Sequence, residues 1–298
     1  MSETILYTHC PACGSPLIQA VFSAVDHTVS GESFSIWQCN NCSLRFTQDV
    51  PDARSIGRYY KSENYISHTN TSKGLINRIY QSVRKKTLKQ KAMLVQHFTL
   101  LEKGALLDMG SGVGAFVHEM KMRGWNVTGL EPDPDARDTA KKSFGCELLD
   151  AAKFYDLPPA SFDAITLWHV LEHVHPLHEY IEQLKKLLKP FGRIIIAVPN
   201  YTSYDAKKYR ENWAAYDVPR HLYHFSPLSM QMLLKKHGLQ LLEELPMRYD
   251  SYYISLLSSK YKNGRSNWPA AVWMGLRSNR KAAKDVSRSS SVIYVIGK

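Results

Sequence analysis

From Gly104 onward, short unbroken apolar runs alternate along the chain with stretches of helical spacing. Ala105-Leu106-Leu107-Asp108 reads as a strand, Ala115 to Arg123 as a helix ended by Gly124, and Asn126 to Leu130 as the next strand. Phe162 to Leu167 gives another strand, after which Leu177, Ile181, Leu184 and Leu188 recur at helical spacing. Arg193-Ile194-Ile195-Ile196-Ala197-Val198 is the run expected of a strand covered on both faces. Ser226 to Lys236 reads as a helix capped by Ser226 and closed by Gly238, and Ser291 to Ile296 as a final strand. Strands alternating with helices predict an α/β fold built on a doubly wound, mostly parallel sheet.

The first fifty residues have a different rhythm. Short alternating segments such as Ser33-Phe34-Ser35-Ile36-Trp37 predict small β-hairpins, with a seam at Pro51-Asp52. Lys73 to Phe98 is helical in pattern, with Ile76, Ile79, Tyr80 and Val83 on one face and bases elsewhere. The expected organisation is a small module over 1–50, an aromatic segment and basic helix serving as linker or lid over 51–100, and the main domain over 101–298.

The first predicted strand runs directly into Asp108-Met109-Gly110-Ser111-Gly112-Val113-Gly114. Glycines at such a turn let backbone approach a ligand closely. Gly110, Gly112 and Ala115 also fit a dinucleotide fingerprint. Asp108 argues against that ligand, since a carboxylate there repels a pyrophosphate. It would instead attract the ammonium and sulfonium of S-adenosylmethionine. Glu131 ends the second strand, placed to take both ribose hydroxyls of either ligand.

With these pieces in place, residues 101–298 resemble the class I methyltransferase family. The matching motifs are Asp108 to Gly114, Glu131 and Ser161-Phe162-Asp163-Ala164-Ile165. Trp168-His169-Val170-Leu171-Glu172-His173, Leu188-Lys189-Pro190-Phe191-Gly192 and Val198-Pro199-Asn200 follow in order. The resemblance implies a seven-stranded sheet with its last strand antiparallel and the cofactor over the strands' carboxyl ends. It assigns Asp108, Gly110 and Gly112 to the methionine part, Glu131 to the ribose and Asp150 with Ala151 to the adenine, with Ser111, Gly114 and Pro132 also among the cofactor-binding residues. Trp168 and His169 would border the transferred methyl. Tyr65, in Tyr59-Tyr60-Lys61-Ser62-Glu63-Asn64-Tyr65, would fold over the cofactor as a lid.

Methyl transfer requires donor and acceptor in line, and a base only where the acceptor loses a proton. Candidates are His169 and, in Tyr216-Asp217-Val218-Pro219-Arg220-His221-Leu222-Tyr223-His224, His221 as base or ligand and Arg220 as an anion contact. His173 and His175 read as structural.

Cys10-Pro11-Ala12-Cys13-Gly14 and Cys39-Asn40-Asn41-Cys42 look like the two knuckles of a zinc ribbon. A closed shell of four thiolates makes that zinc structural, not catalytic. Cys146 reads as a small buried hydrophobe.

Among 298 residues, 44% are hydrophobic, enough for a proper core, and no apolar run reaches membrane-spanning length. The N-terminus lacks signal-peptide character, so the expected address is cytoplasmic. The formal charge of +11 gathers in a stretch without acids between Glu63 and Glu102 and in a second from Lys260 to Arg288. Such fields attract nucleic acid, anionic lipid or phosphorylated substrates. The favoured reading is a methyltransferase acting on a small or carrier-linked metabolite, with an anionic acceptor allowed. The first alternative is an RNA methyltransferase gripping RNA through ribbon and basic helix. Against it, the Leu167-Trp168-His169-Val170 strand end lacks the Asn/Asp-Pro-Pro-aromatic motif of base-amine methylation. The second alternative is a non-catalytic scaffold working through the ribbon. The segment from Trp268 to Lys284 reads as a substrate cap, a membrane-surface contact, or neither.

Overall fold

The computed structural model describes residues 4–60 and 75–298; Tyr65 and the side chains of Ile76, Ile79 and Tyr80 lie outside the described residues. The chain opens with strands β1 (Thr4–Ile5), β2 (Ile18–Val25), β3 (Ser33–Cys39), β4 (Arg45–Thr47) and β5 (Val50–Pro51). Helix α1 (Leu75–Thr99) leads into β6 (Ala105–Met109), α2 (Ala115–Met122), β7 (Asn126–Leu130) and α3 (Pro134–Phe144). Next come β8 (Phe162–Trp168), α4 (Leu177–Leu187), β9 (Leu188–Pro199), α5 (Tyr204–Tyr209), β10 (Tyr223–His224) and α6 (Pro227–Lys236). The chain closes with β11 (Gln240–Pro246), α7 (Asp250–Asn263), α8 (Trp268–Ala282) and β12 (Ser291–Gly297).

The central sheet has the order β11-β12-β9-β8-β6-β7, with β9, β8, β6 and β7 parallel and β12 antiparallel to both neighbours. It is doubly wound. Because side chains alternate along a strand, Leu106, Ala164, Ile195 and Ala197 face a core completed by Val95 of α1 and Phe116, Val117 and Met120 of α2. Leu107, Ile165, Leu167, Ile194 and Ile196 face the opposite core, with Ile181 and Leu184 of α4 and Leu233 of α6. The described sheet therefore has six strands, where the resemblance implies seven. Beyond β7 the chain makes only a parallel bridge, Leu130 to Leu149, before Asp150 caps a 3-10 turn at Ala151–Asp156 and takes the backbone away.

Leu188, expected at the end of a helix, instead begins β9, in register with Phe162 of β8. Ser226 caps α6 as expected: its hydroxyl accepts from the Ser229 N–H while the Ser229 hydroxyl takes the Ser226 N–H. Such a reciprocal cap is worth about 1 kcal/mol. Cys146 is buried under the α2–α3 side, as expected.

The small N-terminal strands do not stand apart. A four-stranded antiparallel sheet runs β10-β4-β3-β2, so residues 223–224 of the later chain complete it, with Tyr223 opposite Phe46 and His224 opposite Arg45. Among the described residues, no helix is long and apolar enough to cross a membrane.

Candidate functional site

Parallel strands aim their carboxyl ends at one edge of the sheet, and the loops leaving β6, β7 and β8 meet there. Asp108 is buried in β6, its Oδ1 accepting from the Thr166 hydroxyl at 2.7 Å. Burial pushes its carboxyl up to about 6, against the pull of the Thr166 and Ser111 hydroxyls and the Lys91 ammonium. Lys91 comes from α1 and lies 4.3 Å over the Trp168 ring. Burial brings it down to about 8, with Asp250 and Asp108 opposing.

The loop after β6 turns through Gly110 at φ 64°, where a Cβ would lie 2.6 Å from Val170; a side chain there is excluded twice. The Gly112 N–H donates to Glu131 Oε2 at 2.7 Å and the Asp133 N–H to Oε1 at 3.0 Å. Glu131 is thus buried, aimed and raised by burial against those two donors, and each oxygen keeps a free lone pair. Arg137 donates to the carbonyls of Glu131 and Pro132 and pairs with Asp150 at 3.1 Å. The expected cofactor residues Asp108, Gly110, Ser111, Gly112, Gly114, Glu131, Pro132, Asp150 and Ala151 consequently gather at the carboxyl ends of β6 and β7.

At the end of β8, His169 takes a left-handed backbone, φ 61°, which is unusual outside glycine. Its imidazole is bracketed by Asp250 Oδ2 at 2.9 Å from Nε2 and Glu172 Oε1 at 3.4 Å from Nδ1. Burial alone would lower it, but the two carboxylates hold it up to about 10. At neutral pH His169 is therefore an imidazolium, placed beside the crevice but unable to take a proton from an acceptor. Sequence reasoning missed both Lys91 and Asp250. Lys91 was lost among the helix's other bases, and Asp250 reaches the site only through tertiary folding of α7.

Next to His169, one group of atoms stands out. Glu172 is fully buried with only the long 3.4 Å approach of His169 Nδ1 to Oε1, and its ligand atom, that of His173 and that of His221 all lie within 4.8 Å of one another. His221 Nδ1 lies 2.9 Å from the Ala215 carbonyl, to which it donates, so that Nε2 is the nitrogen turned toward Glu172 and His173. His173 Nδ1 faces the Arg220 carbonyl at 3.0 Å, and burial, with His221 adding to it, brings this ring down to about 4. A neutral His173, the Nε2 of His221 and a carboxylate converge. The His169 imidazolium borders the group on one side and the Tyr60 hydroxyl, 3.0 Å from His173 Nδ1, on another. His173, read as structural from sequence, belongs to it, whereas His175 serves the fold, its Nε2 3.0 Å from the Pro51 carbonyl.

Arg220 is placed elsewhere. Its guanidinium is buried and spent on Asp217 (2.6 and 3.0 Å), Asp26 (3.0 Å) and the Tyr59 carbonyl (2.8 Å). It ties the ribbon to the segment carrying His221, and is not free to meet an anionic substrate. Arg220→Met should cost about 3–5 kcal/mol of stability, because two carboxylates would be left desolvated without their counter-ion. Urea unfolding measures this, and adding Asp26→Asn should recover part of the loss. A loss below about 1 kcal/mol would show that the triad does not hold the two parts together.

At the far end of the ribbon, Cys10, Cys13, Cys39 and Cys42 bring their sulfurs within 4.8 Å of one another, with Cys10 to Cys42 at 3.4 Å and Cys13 to Cys39 at 3.6 Å. The N–H groups of Asn41 and Cys42 point at the Cys39 sulfur (3.4 and 3.5 Å), as thiolate ligands require. Such a donor set fits a tetrahedral metal ion.

Residues 79–244 match the family model described as a methyltransferase domain. The ubiquinone biosynthesis O-methyltransferase of Schizosaccharomyces pombe is 30% identical over 33% of this chain and 38% of its own length. That of Dechloromonas aromatica is 28% identical over 32% of this chain and 44% of its own. The chain thus spans less than half the length of these curated relatives. In fold it is similar to the 1,6-didemethyltoxoflavin-N1-methyltransferase of Burkholderia thailandensis, at 14% identity and TM-score 0.50 over 92% of this chain and 99% of that one. With the glycine loop, its two acids and the mostly parallel sheet agreeing with the family match over more than half the chain, the protein belongs to the class I S-adenosylmethionine-dependent methyltransferases.

Proposed function

We propose that the chain transfers a methyl group from S-adenosylmethionine to a hydroxyl oxygen of a small or carrier-linked metabolite. The observation that carries the reading is the acceptor-rich group of Glu172, His173 and His221 beside the end of β8. A hydroxyl must lose its proton to become a good nucleophile, and such a group can take it. The names of the O-methyltransferase relatives support an oxygen acceptor. Asp108 would face the cationic half of the cofactor and Glu131 the ribose, which also speaks against a scaffold that has given up cofactor binding.

In the step itself the acceptor oxygen attacks the methyl carbon, the carbon–sulfur bond breaks with its electron pair passing to sulfur, and the hydroxyl proton passes to His221 Nε2. The imidazolium of His169 would hold the two acidic side chains in place. The four cysteines would hold a structural zinc ion that supplies no chemistry to the transfer.

His221→Ala should lower kcat by about 10²–10⁴-fold, the range for loss of a positioned base, with cofactor affinity unchanged. A hydroxylated-metabolite screen with isotopically labelled cofactor supplies the acceptor for that assay, and a near-normal kcat removes His221 from the mechanism. A second reading rests on the same 4.8 Å grouping: a divalent cation on Glu172, His173 and His221 would activate the hydroxyl by lowering its pKa. Turnover lost on chelation and restored by magnesium or manganese, with the ribbon's zinc retained throughout, selects that reading.

A further inference from the structure

Helix α8 is dressed the wrong way round for a helix that ends in water. The face it buries against α7 and α5 is made of Ala271, Gly275, Ser278 and Ala282, all small. The fit is close, since a Cβ on Gly275 would lie 2.5 Å from the Tyr252 ring. Its large apolar side chains point outward instead: Trp268 is 54% exposed, Val272 47%, Trp273 53% and Leu276 48%. At 100° per residue these four fall within one arc of about 140° that begins beside the small-residue stripe and turns away from it, with Trp273 farthest round.

Around them stands positive charge. Arg277, Arg280, Lys281 and Lys284 are exposed on and just beyond α8, and Lys260, Lys262 and Arg265 at the end of α7 and the turn after it. The one acid from 260 to 288, Asp285, is taken by Arg288 at 3.1 Å. Among the described residues none of the other seven bases has a salt bridge. The Arg277 guanidinium lies 4.3 Å over the Trp273 ring, leaving its outer edge to solvent.

We propose that this outer face of α8 docks on an anionic lipid surface. Trp268, Val272, Trp273 and Leu276 enter the headgroup boundary, where indoles are favoured, while Arg277, Arg280, Lys281 and Lys284 meet lipid phosphates and carboxylates. Charge separates this occupant from a second copy of the chain: the formal charge of +11 means that a copy brings mostly like charge to a basic face. A nucleic acid would use the bases but leave Val272 and Leu276 without a partner. The hairpin is also rooted at the site, because Asp250 in the first turn of α7 pairs with His169.

The test is sedimentation of the full chain with vesicles of equal phosphatidylglycerol and phosphatidylcholine, set against phosphatidylcholine alone. Binding to the anionic vesicles at least tenfold stronger than to the neutral ones, weakening with salt, is expected. Trp268→Ser/Trp273→Ser and, separately, Arg280→Glu/Lys281→Glu should each reduce it by tenfold or more. All four positions are exposed, so unchanged thermal melts and cofactor calorimetry certify the folded variants. Absence of binding to anionic vesicles overturns the proposal, as does binding that both variants retain. So does a dimer that the tryptophan variant dissolves, or RNA binding that the same variants abolish while vesicles stay unbound. None of these outcomes depends on methyl transfer, so the docking surface and the proposed acceptor chemistry stand or fall separately.

Discussion

Asp108→Asn should weaken S-adenosylmethionine binding by roughly 10–100-fold in isothermal calorimetry. The side chain is buried, and the substitution keeps its shape and its bond from Thr166 while removing its charge. A charge-assisted contact in such surroundings contributes about 1.5–3 kcal/mol, and each 1.4 kcal/mol is a factor of ten. The native protein should reproduce the effect by titration. Burial holds the Asp108 carboxyl at about 6 in the free protein. The cation-binding form is the ionised one, so it prevails above that pH and is depleted below it. Apparent affinity should therefore fall about tenfold between pH 7 and pH 5, while Asp108→Asn shows a flat profile over the same span. Binding near pH 6 should also release a proton, seen as a dependence of the heat on buffer ionisation. A pH-independent affinity in the native protein, or an Asn variant of native affinity, would sink the electrostatic role given to Asp108.

The arrangement on which this expectation rests was legible in the sequence because it is local. A glycine loop, an acid two residues ahead of it and an acid closing the next strand are a matter of spacing, and the fold keeps them where spacing puts them. The strands β6, β7 and β8 were readable for the same reason, since a sheet covered on both faces leaves unbroken apolar runs, whereas the start of β9 at Leu188 and the helix Pro134–Phe144 were not. What the sequence hid was made by tertiary contact. Asp250 sits eighty-one positions from His169 in the chain and meets it only because α7 folds back across the sheet edge. Arg220 looked like a substrate contact because an arginine beside two histidines is unusual in a connector. Its partner Asp26 belongs to the ribbon, 194 residues earlier, and turns it into a buried tie. Helices α7 and α8 were read as a basic stretch with no assigned packing, the part from Trp268 to Lys284 left between a substrate cap, a membrane-surface contact and neither, because small residues packed inward and large ones turned outward defeat the usual inference from hydrophobic period to buried face.

The same interlocking sets the largest expected effect on the fold. Purified protein should carry one equivalent of zinc by elemental analysis, and Cys42→Ser should lose it and melt on the order of 10 °C lower. Structural zinc binds ribbon-like sites with about 10–16 kcal/mol, so even partial loss of the site forfeits several kcal/mol. For a domain of this size each kcal/mol moves Tm by about 2–4 °C. The damage should not stay in the first fifty residues. Cys10, Cys39 and Cys42 lie in the same buried cluster as Leu44, Phe46, Leu222, Tyr223 and Phe225. The Thr47 N–H donates to the Leu222 carbonyl, and the Thr47 hydroxyl to that of His221, at 2.9 and 2.7 Å. Loosening the knuckles therefore loosens β4, and β4 holds the strand that follows His221. Hydrogen exchange should accelerate at Thr47, Tyr223 and His224 in Cys42→Ser, while amides of β6 and β8, on the far side of the sheet edge, keep their protection. Zinc-free protein with a native melting temperature would show that the four thiols pack as hydrophobes, and exchange confined to residues 4–51 would show that the ribbon does not brace His221.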